Sequence, residues 1–149
     1  MGGGRSKMRA PLKISLTVIY VAVLCDCTTI AGYNEKAYEN ATSAKAEALT
    51  LIAKSNQSYR SHEPEVNALK LDMSKAAEFA KGIPKNDTVV RMYAIIMRED
   101  KNDLGSLYGV LTRWKEKSTL RPAYIQEIAP KIGEEFDQLI QLEQVKNKF

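Results

Sequence analysis

The residues of this chain that could do chemistry fall into three groups. The lone histidine, His62, needs carboxylates or methionines to complete a metal site, because an ion such as zinc takes about four ligands. Glu63 and Glu65 stand beside it, but at a helix start these residues serve more simply as capping and solvated groups. A b-type haem in a helical bundle could take His62 with Met73, Met92 or Met97 as axial ligands. No C-x-x-C-H run exists for covalent attachment, and Met at helical spacing is ordinary core filler. Neither a metal nor a cofactor is therefore expected. The second group is acidic. Tested as a calcium loop, Glu99, Asp100 and Asp103 fail the pattern at Leu104. Glu134, Glu135 and Asp137, interleaved with Lys131, read as a solvated helix face. No Ser, Thr or Cys sits in a nucleophile motif and no glycine-rich loop cradles a phosphate, so the chain is not expected to be an enzyme. The third group is the pair Cys25 and Cys27. A disulfide between residues i and i+2 is strained, and there is no further cysteine, so the folded domain must be held by packing.

The charge distribution explains where those cysteines sit. Lys and Arg number 22 against 18 Asp and Glu, but Arg5, Lys7, Arg9 and Lys13 all precede the first apolar run. From Cys27 onward the balance is 18 basic against 17 acidic, which removes the electrostatic basis for nucleic-acid binding. A basic start followed by the uncharged run Ile14 to Cys25 is the n-region and h-region of a bacterial-type export signal. Its twelve residues are too few to span a bilayer, which takes about 20. Tolerating Asp26 would extend the run to Ala31, at a cost of roughly 2.5 to 3.5 kcal/mol for a carboxylate inside the span.

The stretch Leu24-Cys25-Asp26-Cys27-Thr28-Thr29 resembles the end of a bacterial lipoprotein signal. The resemblance implies a diacylglycerol on Cys27 and a fatty acid on its amine after cleavage. Cys27 has Leu24 three residues before it, but Asp26 stands where the processing enzyme takes Gly, Ala or Ser. Cys25, preceded by Leu24, is the other candidate for lipidation. Ordinary cleavage after Ala31 is the alternative route. Over residues 5 to about 52 the chain is similar to small bacterial lipoproteins with a helical mature domain, a class that brings no known active site with it.

The remainder reads as helices. Ala37, Ala41, Ala44, Ala48 and Leu51 recur at helical spacing, placing a helix over about 34–58 that Asn34 or Asn40 opens. Val66, Leu69, Met73, Ala76, Ala80 and Ile83 recur at helical spacing and predict a second helix over about 63–81, with Ser61 as cap and Pro64 in its first turn. Asn86 or Asp87 caps the next. Residues 87–117 form either one kinked helix or two, the second capped by Asp103. Pro122 opens the final helix, in which Pro130 is expected to cause a kink. No segment alternates with period two. The expected fold is an all-α, up-down bundle of four helices, or five, over 28–149 after a signal segment at 1–27.

Trp114 and Arg113, flanked by Lys115 and Lys117, read either as a partner contact or as a core ring with exposed basic neighbours. Together these features predict a non-catalytic envelope lipoprotein, anchored by its N-terminal lipid, facing the periplasm and acting as an interaction or structural module. Its partners are then the membrane and an envelope protein, and not nucleic acid. The competing expectation is a soluble periplasmic carrier of a small apolar ligand or haem.

Overall fold

A computed structural model describes residues 31–99 and 105–148. Cys25, Cys27 and the stretch read as an export signal lie outside the described residues, as do Asp100, Asp103 and Leu104. Among the described residues there are five α-helices and no strand: α1 Glu35–Lys54, α2 Tyr59–Lys81, α3 Asp87–Ile96, α4 Leu107–Lys117 and α5 Pro122–Val145, closed by a short 3-10 turn at Lys146–Lys148.

The ends of the helices follow from local chemistry. Asn34 opens α1 by accepting a 3.1 Å hydrogen bond from the Ala37 amide. That helix stops at Lys54, four residues before the expected boundary, because Ser55 tightens the chain by donating both its hydroxyl (2.6 Å) and its amide (3.1 Å) to the Ile52 carbonyl. Helix α2 then starts at Tyr59, with Ser58 and not Ser61 at the capping position. The extra turn forms because Tyr59 and His62 are both buried by it. Pro64 consequently lies inside α2, where it leaves the Arg60 carbonyl without its i+4 amide donor.

The segment 87–117 is two helices. Ser106, not Asp103, caps α4: its hydroxyl accepts from the Gly109 amide (3.2 Å) and donates to the Arg98 carbonyl (2.7 Å), clasping the end of α3 to the start of α4. Helix α5 runs unbroken through Pro130. Pro130 and Gln126, whose carbonyl loses its partner, both lie on the exposed face, so water can replace the missing donor.

Two sets of bonds establish the up-down path. At one end the Ala31 amide donates to the Lys85 carbonyl (3.0 Å), joining the chain ahead of α1 to the α2–α3 turn. At the other, Tyr59 donates to Ser118 (2.8 Å) and Leu120 to Ser55 (2.7 Å), joining the α1–α2 turn to the α4–α5 turn. Helix α1 packs on α2 and α5, and α3 closes the ring between α2 and α5. The bundle thus has four rods, the third broken into α3 and α4. We call the Ala31 end the entry end and the other the distal end.

The interior is filled by Ile52, Leu69, Met73, Ile96, Leu111, Trp114, Ile132, Phe136 and Leu139. Alanines 37, 41, 44 and 48 are buried on α1, as their spacing predicts, and let α5 approach closely. Gly133 of α5 faces α1, and a Cβ there would sit 4.0 Å from Leu49 Cδ1, an ordinary contact distance. Gly133→Ala is therefore expected to raise stability by about 0.5–1 kcal/mol through helix propensity. A lowered unfolding midpoint would mean that α1 and α5 lie closer than this.

Candidate functional site

The distal end gathers most of the residues that the sequence offers for recognition. Trp114, expected either at a partner contact or in the core, is 0% exposed. A partner cannot touch it, because α4 turns the ring inward. Its indole N–H donates to the Gln57 carbonyl (2.9 Å), and its ring meets Tyr59 edge-on with centroids 5.4 Å apart. His62 packs on the other side at 5.7 Å. The histidine is 9% exposed, so its reading as a solvated capping residue is corrected. The additional first turn of α2 carries it under Trp114. Its Nδ1 lies 3.0 Å from Glu65 Oε1 and its Nε2 2.8 Å from Gln57 Oε1. The Glu65 carboxyl is held below its usual range by a hydrogen bond from Lys54 first and by His62 second. Tyr59 is pushed up, chiefly by burial and secondarily by Glu63.

These contacts bear on the haem geometry. His62 already engages two oxygen acceptors, and Met73 lies eleven residues further along the same helix, about 16 Å of axial rise away. One iron cannot take both as axial ligands. Met92 and Met97 pack against the hydrophobic core. Among the described residues no group of three or more His, Cys, Asp and Glu is placed to hold a metal ion.

Arg113 does reach the surface. Its guanidinium lies 4.9 Å from the centre of the Tyr124 ring, in cation–π geometry. Around them Lys117, Thr119, Leu120 and Arg121 complete a cavity of about 340 Å³. A second cavity, of about 480 Å³, opens beside it between Ser58, Tyr59, Arg60, Glu63, Lys115 and Ser118. Segments 54–65 and 113–121, which make up this end, carry six basic residues against three acidic ones, while the rest of the chain from Cys27 onward carries twelve against fourteen. A nearly neutral domain therefore concentrates positive charge on its distal end.

The acidic runs resolve differently. Asp137 pairs with Lys45 and ties α5 to α1, and Glu99 pairs with Lys70 at 2.6 Å. Lys131 pairs with Glu127 at 2.8 Å on an exposed face, as expected of a solvated helix surface. Glu135 is half-buried, which corrects its reading as part of a solvated face, and burial raises its carboxyl above the usual range, opposed by Arg98.

Sequence reasoning gave no sign of the entry-end cluster. Lys146, 4% exposed, donates to Glu143 Oε1 (2.8 Å) and to Asn86 Oδ1 (2.6 Å), and Glu143 is itself 1% exposed. Asn86 in turn donates to the Ala80 carbonyl at 2.9 Å, so its side chain is directed inward and does not cap α3. Tyr93, packed nearby, is pushed well above its usual range by burial and then by the Glu143 charge. A Glu and a Lys three apart near a helix end look like a surface pair, and only the return of the α2–α3 turn over them buries both.

No family model, curated protein or solved structure matches the chain. Functional assignment rests on the geometry of the chain itself.

Proposed function

We propose that this chain is a non-catalytic bacterial envelope lipoprotein, tethered at the entry end of its bundle and presenting the distal end to a partner in the periplasm. The observation that carries the reading is the bond from the Ala31 amide to the Lys85 carbonyl, which fixes where the chain enters the fold. Only three residues separate Cys27 from Ala31, so a lipid on Cys27 holds the entry end within about 14 Å of the membrane surface. Helix α5, 24 residues long, sets the distal end about 36 Å further out. Among the described residues no helix is long and apolar enough to cross a membrane.

Cell fractionation tests the tether. Cys27→Ala is expected to move the protein from the membrane to the soluble fraction. The intact mass of the wild-type chain should correspond to one starting at Cys27 and carrying three acyl chains. Undiminished membrane retention of the variant, or an unmodified mass, would overturn the lipoprotein reading. A chain starting at Cys25 would move the attachment by two residues without changing the geometry.

A further inference from the structure

The two ends of the bundle differ in what they show to solvent. Among the described residues, four large apolar or aromatic side chains are exposed: Tyr33, Leu71, Phe79 and Ile95. None of them belongs to the distal segments 54–65 and 113–121. Leu71 and Ile95 stand singly on the sides of α2 and α3, which is ordinary for a protein surface. Tyr33 and Phe79 both lie within about one helical turn of the entry end. Tyr33 follows by two residues the Ala31 amide that is bonded to Lys85, and Phe79 lies in the last turn of α2. Ile83, half-buried, adjoins them in the α2–α3 turn. The space over Gly32 is open, since a Cβ there would meet nothing within 4 Å. Segments 31–36, 78–88 and 145–148, which make up this end, also carry four exposed lysines, Lys36, Lys81, Lys85 and Lys148, against three exposed carboxylates, Glu35, Glu78 and Asp87.

We propose that the entry end is a membrane-docking face: Tyr33 and Phe79 seat in the headgroup layer of the bilayer that holds the tether, and the bundle stands upright on it. Aromatic rings settle at that level, where the body of the ring leaves water and the Tyr33 hydroxyl stays wet. Lysines suit the same position, because their stems lie along apolar surface while the ammonium groups reach lipid phosphates. Lys36 and Lys81 meet Glu39 and Glu78 at 3.3 and 3.6 Å in exposed pairs, which hold weakly and let both turn toward a headgroup. With four lysines against three carboxylates charge adds little, and the apolar contact carries the docking. Two rings are a small area for binding from solution. Attachment only a few residues ahead of Ala31 makes the contact intramolecular, so that even a weak surface is occupied, and this is why the occupant is the bilayer and not a protein. The inference rests on the lipid attachment proposed above, which the intact mass tests separately.

Tryptophan quenching tests the docking. The protein extracted from host membranes is reconstituted in vesicles of phosphatidylglycerol and phosphatidylcholine, the latter brominated near the top of its acyl chains. In the wild type the only tryptophan, Trp114, lies at the distal end and should keep its emission. Tyr33→Trp and Phe79→Trp each add a ring at the entry end, and the added emission should be quenched and shifted to the blue. Leu71→Trp, on the side of α2, should add emission that is not quenched. All three substitutions fall at exposed positions and leave the core unchanged. The docking is overturned if the rings added at positions 33 and 79 are quenched no more than Trp114, or if the protein does not stay with the vesicles. It is overturned equally if Leu71→Trp is quenched as strongly as they are, since the bundle would then lie on its side. A protein that carries acyl chains by mass but shows no quenching keeps the tether and loses the docking.

Discussion

Replacing Lys146 by Met is expected to lower the unfolding free energy by about 3–5 kcal/mol, the largest loss available outside the hydrophobic core. The ammonium group is the partner of both Glu143 Oε1 and Asn86 Oδ1, and none of the three side chains can turn to water. Glu143 Oε2 already lacks a hydrogen bond, so removing the cation leaves a buried carboxylate with no compensation. The deficit should fall to about 1–3 kcal/mol in Lys146→Met combined with Glu143→Leu, where the buried carboxylate is gone and only Asn86 Oδ1 has lost its donor. Urea unfolding of the wild type and the two variants checks this. A loss below about 1 kcal/mol for the single variant would mean that the pair is solvated and contributes as surface pairs do.

The consequence for the fold is local. Lys146 ties the end of α5 to the α2–α3 turn, and that turn also receives Ala31. Its loss should raise hydrogen exchange at residues 82–87 before the distal end is affected.

Trp114→Ala is the second large effect, with an expected loss of about 3–5 kcal/mol. The ring is completely buried, and Tyr59 and His62 pack against it from α2. Its indole N–H holds the Gln57 carbonyl in the α1–α2 turn. The cavity left behind therefore lies where α4 meets that turn. Trp114→Phe keeps most of the packing and gives up the hydrogen bond, for a smaller cost of about 1 kcal/mol from that bond. Since Trp114 is the only tryptophan, the variants are followed by circular dichroism and the wild type by fluorescence as well. A Trp114→Ala protein with wild-type stability would show that the ring is not part of the core, and would restore it as a surface contact.

The core of the first two rods was legible in the sequence, because burial on a helix repeats at 3.6 residues and the stripes at Ala37 to Leu51 and Val66 to Ala80 keep that period without interruption. Helix ends were less legible. Ser61 and Asp103 are good capping residues by type, yet Ser58 and Ser106 take the positions, since the burial of Tyr59 and His62 extends α2 backwards and the Arg98 carbonyl draws Ser106 into the break. Pro130 does not end α5, because its lost bond faces solvent.

The candidate site was legible only in its parts. Arg113, Lys117, Arg121 and Tyr124 are spread over twelve residues and two helices, and nothing in their spacing says that they share a cavity. The sequence by itself determined the helical class, the buried stripes and the near-neutral balance of charge from Cys27 onward, because each is a local property of composition or period. Tertiary structure alone decided that the positive charge collects at the distal end, that Trp114 points inward and that Lys146 and Glu143 are buried. Those outcomes depend on which helix ends meet, and the meeting of ends is fixed by packing between residues far apart in the chain.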